Sequence, residues 1–333
     1  MKKIIVTGGL GYIGSHTVCE LSLAGYEPVI IDNLSNTSIE NLYGIEKLLN
    51  KRIAFHQIDC ANATVMEQFF SNIDGVLGVV HFAAYKSVEE SVFNPDKYYA
   101  NNVGSMEVMI NCCEQFGIEN LIFSSSCTVY GQPEQLPVTE QSPFLKAFSP
   151  YGHSKQLCEE LLDATDLNSV SLRYFNPIGA HPSALIGDRS GDKPANLVPI
   201  LTQVAAQKKD KLMVFGDDYN TIDGSCVRDY IHVQDLAESH VKALEYLLAN
   251  RGKDVFNIGT GKGLSVLKAI QLFEEANQIK VPFQIIDRRA GDVACIYADT
   301  EKAEKKLNWR AKKHFKEAML DAWNWEIKQN KNE

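Results

Sequence analysis

The 333-residue sequence has no CxxC pair, no Cys/His spacing of a zinc site and no apolar run that approaches a membrane span. Its eight cysteines, at 19, 60, 112, 113, 127, 158, 226 and 295, therefore read as reduced core residues, and no metal is expected. Positive charge is also short: 33 Lys and Arg against 42 Asp and Glu leave a formal net charge of −9. That balance disfavours general binding to nucleic acid or anionic membranes, so arginines that meet an anionic ligand must be local. No h-region or small-residue cleavage site precedes the first strand, and a cytoplasmic protein is expected. Internal repeats and low-complexity tracts are absent too. What remains is 45% hydrophobic and 23% charged, enough for one large or two intimately joined domains.

The informative stretch comes first. Ile4-Ile5-Val6 breaks into Thr7-Gly8-Gly9-Leu10-Gly11-Tyr12-Ile13-Gly14, then into a segment from Tyr12 to Ala24 expected to be an amphipathic helix. Gly8, Gly11 and Gly14 form a GxxGxxG pattern, in which bare backbone and a helix N-terminus can face a pyrophosphate. A second apolar run, Val29-Ile30-Ile31, ends in Asp32, whose carboxylate can accept ribose hydroxyls and would repel a 2′-phosphate. The combination points to NAD.

Further apolar runs at Ile53–Ile58, Val76–Phe82, Leu121–Ser125 and Val170–Tyr174 alternate with helical segments. They predict an α/β fold, a Rossmann-type doubly wound parallel sheet with function at the carboxyl ends of its strands. After Tyr174 the chain enters Phe175-Asn176-Pro177 and a Gly/Asp/Ser/Pro loop through Pro194, which reads as a domain boundary with a flexible substrate loop. Helices are expected at Val198–Gln207, Val233–Ala249 and Val266–Ala276, strands at Val255–Ile258 and Phe283–Ile286, and a frayed tail at Lys328–Glu333.

Tyr151 and Lys155 stand four apart after Ser149-Pro150, on one face of a predicted helix. Tyr43 and Lys47 share that spacing but follow Asp32, away from the serine cluster Ser124-Ser125-Ser126. Tyr151 and Lys155 are therefore the candidate catalytic pair, with Ser126 holding the reacting hydroxyl. Ionising a tyrosine near neutral pH asks for a shift of about three units, about 4 kcal/mol. One cation about 4 Å away at an effective dielectric of about 20 supplies a term of that size, so Lys155 and a positive nicotinamide ring are expected to make Tyr151 a base.

The Thr7–Gly14 pattern, the Ser124–Gly131 stretch and the Tyr151/Lys155 pair resemble the extended short-chain dehydrogenase/reductases. Ser15-His16, Asp32-Asn33-Leu34, Tyr174-Phe175-Asn176-Pro177 and Arg228-Asp229-Tyr230-Ile231-His232-Val233 narrow the resemblance to the UDP-glucose 4-epimerase branch of that family, and it runs to Leu307-Asn308-Trp309. It implies an NAD-binding Rossmann domain over 1–175 and a smaller α/β nucleotide-sugar domain over 176–333, with about 229–260 returning to the first. It also implies retained NAD, oxidation at C4 of a UDP-galactose or UDP-glucose, turnover of a 4-keto sugar, and a homodimer packed through Pro95–Phe116 and Tyr151–Thr165.

Carried over position by position, the resemblance gives NAD contacts at Tyr12, Ile13, Asp32, Asn33 and Asn36. Further along it gives Asp59, Cys60, Phe82, Ala83, Lys86 and Asn101, then Ser124, Tyr151, Lys155 and Phe175. For the UDP-sugar it implies Lys86, Ser126, Tyr151, Asn176, Asn196 and Leu197, then Phe215, Arg228, Tyr230, Arg289 and Asp292. Arg228 and Arg289 suit a diphosphate and Asp292 a ribose hydroxyl. Ile296 stands at the position that gates the hexose pocket, intermediate between a bulky tyrosine and a small residue, so UDP-glucose and UDP-galactose are expected over N-acetylated sugars. Another UDP-sugar, including a pentose or uronate, and a non-catalytic NAD-binding regulator remain alternatives. A 4,6-dehydratase needs carboxylates after Ser126, where this chain has Cys127-Thr128.

Overall fold

Apolar, β-branched runs buried on both faces pack as parallel strands between helix layers, because each face then meets a helix. The computed structural model describes residues 2–189, 194, 196–289 and 291–330. Its strands are β1 (Lys3–Thr7), β2 (Glu27–Ile31), β3 (Ala54–His56), β4 (Val76–His81), β5 (Asn120–Ser126), β6 (Asn168–Tyr174), β7 (Asn176–Ile178), β8 (Leu212–Phe215), β9 (Val227–His232) and β10 (Lys253–Ile258). Seven form one all-parallel sheet in the order β10-β6-β5-β4-β1-β2-β3. The expected doubly wound α/β sheet is thus present. Its order reverses between β1 and β4, the switch point at which such a sheet opens a crevice for ligand. β3 is shorter than the Ile53–Ile58 run predicts, because it is the sheet edge and both its end residues are exposed.

The remaining strands, with β11 (Gly263–Ser265), β12 (Phe283–Ile286) and β13 (Cys295–Ile296), make two small sheets. One runs β11-β9-β13 with β7 on β9, and the other pairs β12 with β8. Around them Val198, Leu201, Val214, Phe273 and Met319 bury a core of their own. The chain also returns to the large sheet. Helix Val233–Ala249 packs on helix Tyr12–Leu23, and β10 pairs with β6.

That return corrects one expectation. Helix Tyr12–Leu23 is not amphipathic: Gly14 through Cys19 and Leu21 are all buried, since Val233–Ala249 covers the face the sheet leaves open. The helix expected over Pro95–Phe116 is also interrupted. Pro95–Tyr98 passes through a π turn, Tyr99–Val103, into Gly104–Gln115. Within that turn the Asn102 side chain accepts from Tyr85 N (2.8 Å) and donates to Tyr85 O (3.1 Å). At the end of the chain, Lys328–Asn330 continue helix Phe315–Asn330, and Lys328 Nζ donates to Ser183 O at 3.0 Å. Residues 331–333 of the expected frayed tail, and 190–193 of the expected loop, lie outside the described residues.

Three histidines are sealed in this core. Burial pushes His16, His81 and His240 down to about 3. Between about pH 3 and the unfolded value near 6.5, the unfolded chain binds protons that the folded one refuses. Stability is therefore full above about pH 6.5 and falls as pH drops below it, by up to about 1.4 kcal/mol per pH unit for each histidine. Urea denaturation at pH 7.5 and 5.5 is expected to show that loss, and equal unfolding free energies would contradict it.

Candidate active site

The glycine turn is built for close approach. Gly8 has φ +66, and a Cβ there would sit 2.9 Å from Ala83 N. Helix Tyr12–Leu23 then starts at Gly11 with no side-chain cap and no acidic residue in its first turn. An uncapped, positive helix end reached by bare glycine backbone suits a pyrophosphate. Asp32, 3% exposed, accepts from Leu10 N (3.1 Å), Leu34 N (3.0 Å) and Thr37 Oγ1 (2.8 Å). Most of its acceptor capacity thus holds the turn in shape, leaving room for about one more donor. Beside it Asn33 Oδ1 accepts from Ser35 N, and Asn36 lies exposed on the same loop.

The strand ends line up along this crevice. Asp59 Oδ1 accepts from Ala61 N, and burial pushes the neighbouring Cys60 thiol up to about 12, with Asp32 and Asp59 adding to the rise. Phe82 and Ala83 follow β4 half-buried, and Phe82 N donates to Thr7 O at 3.0 Å. Lys86 Nζ lies 3.4 Å from Asp188 Oδ1 and 5.9 Å from the Tyr12 ring centroid, while the Tyr12 hydroxyl donates to Gly179 O at 2.6 Å. Asn101, on the π turn, donates to Asn102 Oδ1. Ile13 packs partly buried against the main core, and Phe175 follows β6 with its N–H on Ile258 O.

At the end of β5 the candidate catalytic groups converge. Ser149 caps helix Pro150–Asp163 by accepting from Gly152 N at 3.1 Å, and Pro150 occupies the first turn. Tyr151 and Lys155 therefore face the strand, whereas Tyr43 lies 56% exposed on helix Glu40–Leu49. Lys155 is 3% exposed and donates from Nζ to Ser124 O at 2.6 Å. Ser126 Oγ accepts from Thr128 N (3.2 Å) and Thr128 Oγ1 (3.0 Å) and lies close enough to Tyr151 to draw its pKa down. Lys155 itself is desolvated here. Its Nζ lies 6.0 Å from the Tyr151 ring centroid, and burial pushes its own pKa down to about 8. Burial likewise pushes Tyr151 up to about 12, against the pull of Ser126. Lysine alone thus leaves the hydroxyl protonated, because desolvation outweighs one cation at that range.

On the sugar side, β9 collects residues far apart in sequence. Tyr230 pairs in register with Asn176 of β7, and Arg228 with Ile296 of β13. Ile296 is 5% exposed in an apolar cluster with Cys127, Val129, Phe175 and Ala298. Arg228 and Arg289 do not stand as free forks. Arg289 donates to Asp292 Oδ1 (2.8 Å) and Oδ2 (3.2 Å), while Arg228 NH2 lies 3.6 Å from Oδ1 and its NH1 donates to Val293 O. Asp292 is thereby a clamp between two guanidinium groups rather than a free acceptor. The Arg289 guanidinium also lies 5.2 Å from the Phe215 ring centroid. Asn196 is exposed ahead of helix Leu197–Ala205, and Leu197 packs against the smaller core.

Several buried polar residues at this crevice carry no local sequence signal. Thr7 Oγ1 meets His81 Nδ1 at 2.8 Å, and Tyr174 OH hydrogen-bonds His240 Nε2, whose ring lies tilted with its centroid 4.7 Å from that of Phe82. Only their positions at strand ends could have singled them out. A cavity of about 650 Å³ lies beside the glycine helix, lined by Tyr12, Gly179, Val198 and Trp325, and reaches none of Ser126, Tyr151 or Lys155. Among the described residues no His/Cys/Asp/Glu group could hold a metal, and no helix is long and apolar enough to cross a membrane.

Known proteins match this chain over most of its length. Residues 4–259 match the profile of the NAD dependent epimerase/dehydratase family. The chain is 46% identical over 330 residues to the UDP-glucose 4-epimerase of Bacillus subtilis (strain 168), covering 97% of this chain and 96% of that one. Its fold superposes with a TM-score of 0.97 and 40% identity on a UDP-glucose-4-epimerase from Stenotrophomonas maltophila with bound NAD and formylated UDP-arabinopyranose, over 100% of both chains. The Bifidobacterium longum UDP-glucose 4-epimerase in complex with NAD+ and UDP gives 0.95 and 40%, over 99% of each.

The cradle makes a testable demand at Gly14, where a Cβ would stand 2.3 Å from Gly8 O and 2.9 Å from Gly9 Cα. Backbone cannot step aside, so Gly14→Ala is expected to cost about 1–3 kcal/mol of stability. At Gly104, where nothing lies within 4 Å, Gly104→Ala is expected to stabilise by about 0.4–1 kcal/mol instead. Urea denaturation of both variants reads the contrast.

Proposed function

Because the chain belongs to the NAD dependent epimerase/dehydratase family and matches UDP-glucose 4-epimerases end to end, it interconverts UDP-galactose and UDP-glucose with NAD, and we propose that Tyr151, Lys155 and Ser126 carry the reaction. The observation behind that assignment is the convergence at the end of β5, where Ser126 lies beside Tyr151 and Lys155 Nζ sits on Ser124 O. The uncapped glycine helix, the Asp32 loop and the ends of β3, β4 and β5 fit NAD. When bound, it supplies the acceptor, and later the donor, of the C4 hydride.

The protein groups do the rest. Tyr151 takes the O4 proton and later returns it, so the proton balance closes over one turnover. Ser126 holds O4 against the phenol. Burial at Tyr151 has a consequence here: its hydroxyl stays protonated until positive charge faces it, and in the same dry site such charge acts at low dielectric. Lys155 contributes by direction as well as charge, since its bond to Ser124 O fixes where its ammonium points. Across the crevice Arg228, Arg289 and Asp292 form a preassembled cationic cluster suited to a diphosphate, with Asn176 and Tyr230 beside it. In this reading two copies pack through 95–116 and 151–165, and sedimentation equilibrium would return twice the mass of one chain.

Two outcomes test the assignment. Tyr151→Phe is expected to lower kcat by about 10²–10⁴-fold with bound NAD unchanged, measured by proton NMR of UDP-galactose conversion without added cofactor. Ile296 walls the hexose pocket with a buried β-branched side chain, so UDP-galactose should exceed UDP-N-acetylgalactosamine in kcat/KM by about tenfold or more. Comparable values for the two would refute that role.

A further inference from the structure

Helix Pro150–Asp163 carries a third group on the face of Tyr151 and Lys155. Glu159 lies four residues past Lys155 and eight past Tyr151, so all three point to β5. Its side chain is 4% exposed, paired with Arg173 at 6%. Glu159 Oε2 accepts from Arg173 NH2 at 2.7 Å and Nε at 3.2 Å, and Oε1 accepts from Nε at 3.0 Å and from the Ser125 hydroxyl. Arg173 is the register partner of Ser125 across β6 and β5. Three successive serines thus meet one helix face: Ser124 O takes Lys155, Ser125 donates to Glu159, and Ser126 lies beside Tyr151.

The pair also reaches the sugar side. Arg173 NH1 donates to Tyr130 OH at 2.9 Å, its guanidinium lies 4.9 Å from the Tyr130 and Phe144 ring centroids, and Tyr130 OH donates to Asn257 Oδ1 at 2.6 Å. Tyr130 belongs to the apolar cluster that contains Phe175 and Ile296. Burial opposes the Arg173 charge, but Glu159 and Tyr130 more than offset it and draw its pKa upward.

We propose that Glu159 and Arg173 are positioning residues for the reaction: their buried fork locks the helix bearing Tyr151 and Lys155 to β6, and the Ser125 hydroxyl on Glu159 ties it to β5, the strand bearing Ser126. The inference rests on the assignment of those three residues above. Stability alone does not explain the pair, because desolvating two charges costs much of what they return and apolar replacements of similar volume are often as stable. What an apolar pair lacks is direction. A bidentate fork fixes register, and a displacement of about 1 Å at reacting groups can cost about 10²-fold in rate.

The test compares wild type, Tyr151→Phe, Glu159→Gln, Arg173→Lys and Ser125→Ala for kcat and KM with UDP-galactose, bound NAD per chain, and far-UV circular dichroism. Glu159→Gln and Arg173→Lys are expected to lose about tenfold or more in kcat, with KM within about twofold and NAD and helicity unchanged. Should either fail to fold, Ser125→Ala, which removes one donor and no charge, decides through the same kcat loss at constant KM. Wild-type kcat in the folded variants, while Tyr151→Phe is inactive, overturns this inference alone. So does a kcat loss that only parallels loss of NAD and helicity. An active Tyr151→Phe removes the assignment beneath it.

Discussion

A missing methyl group at residue 14 is the constraint from which the rest follows. Only because Gly14 has no Cβ can helix Tyr12–Leu23 begin in contact with Gly8, directly past β1. That contact brings an uncapped helix end to the switch point of the sheet, where β1 and β4 part. Asp32 then spends its carboxylate on the turn itself, through Leu10 N and Thr37, so the acid that suits a ribose also braces the cradle. Substituting either residue would disturb both roles, since fold and site share the same atoms.

Catalysis on this frame depends on dryness as much as on residue choice. Tyr151 and Lys155 sit in a site that disfavours charge on both, pushing one pKa up and the other down. On the assignment proposed above, charge that ligands bring would be felt most strongly in such a site. The buried serine ladder of β5 supplies order in the same place. Ser124 O and the Ser125 hydroxyl each bond a different residue of one helix, with Ser126 beside Tyr151, so a shift of that helix would be felt along the ladder.

What the sequence made legible was local. Apolar runs, the glycine spacing, the acid after the second run and Tyr151/Lys155 each lie within a stretch whose geometry is set by its own period. Helix Val233–Ala249 and strand Phe283–Ile286 fall where their patterns place them. The failures were all tertiary. No pattern in Tyr12–Leu23 reveals that a helix more than two hundred residues later covers its outer face. The Asp292 clamp needs β9 and the 289–293 segment side by side, and the Glu159–Arg173 fork needs the register of β5 on β6. The π turn at Tyr99–Val103 is set by what Asn102 reaches, not by its own residues' propensities.

The return of the chain to the large sheet has a consequence for how such a protein can change over time. Between β6 and β10 the backbone leaves, builds β7, β8 and β9, and comes back to complete the edge beside β6. After β10 it leaves once more, so the sugar-side elements are two separate inserts rather than a contiguous cassette. They cannot be exchanged by a single recombination event without also removing the sheet's last strand and the helix that seals Tyr12–Leu23. On the assignment proposed above, a new substrate would be reached by point changes at positions such as Ile296, and not by swapping a module.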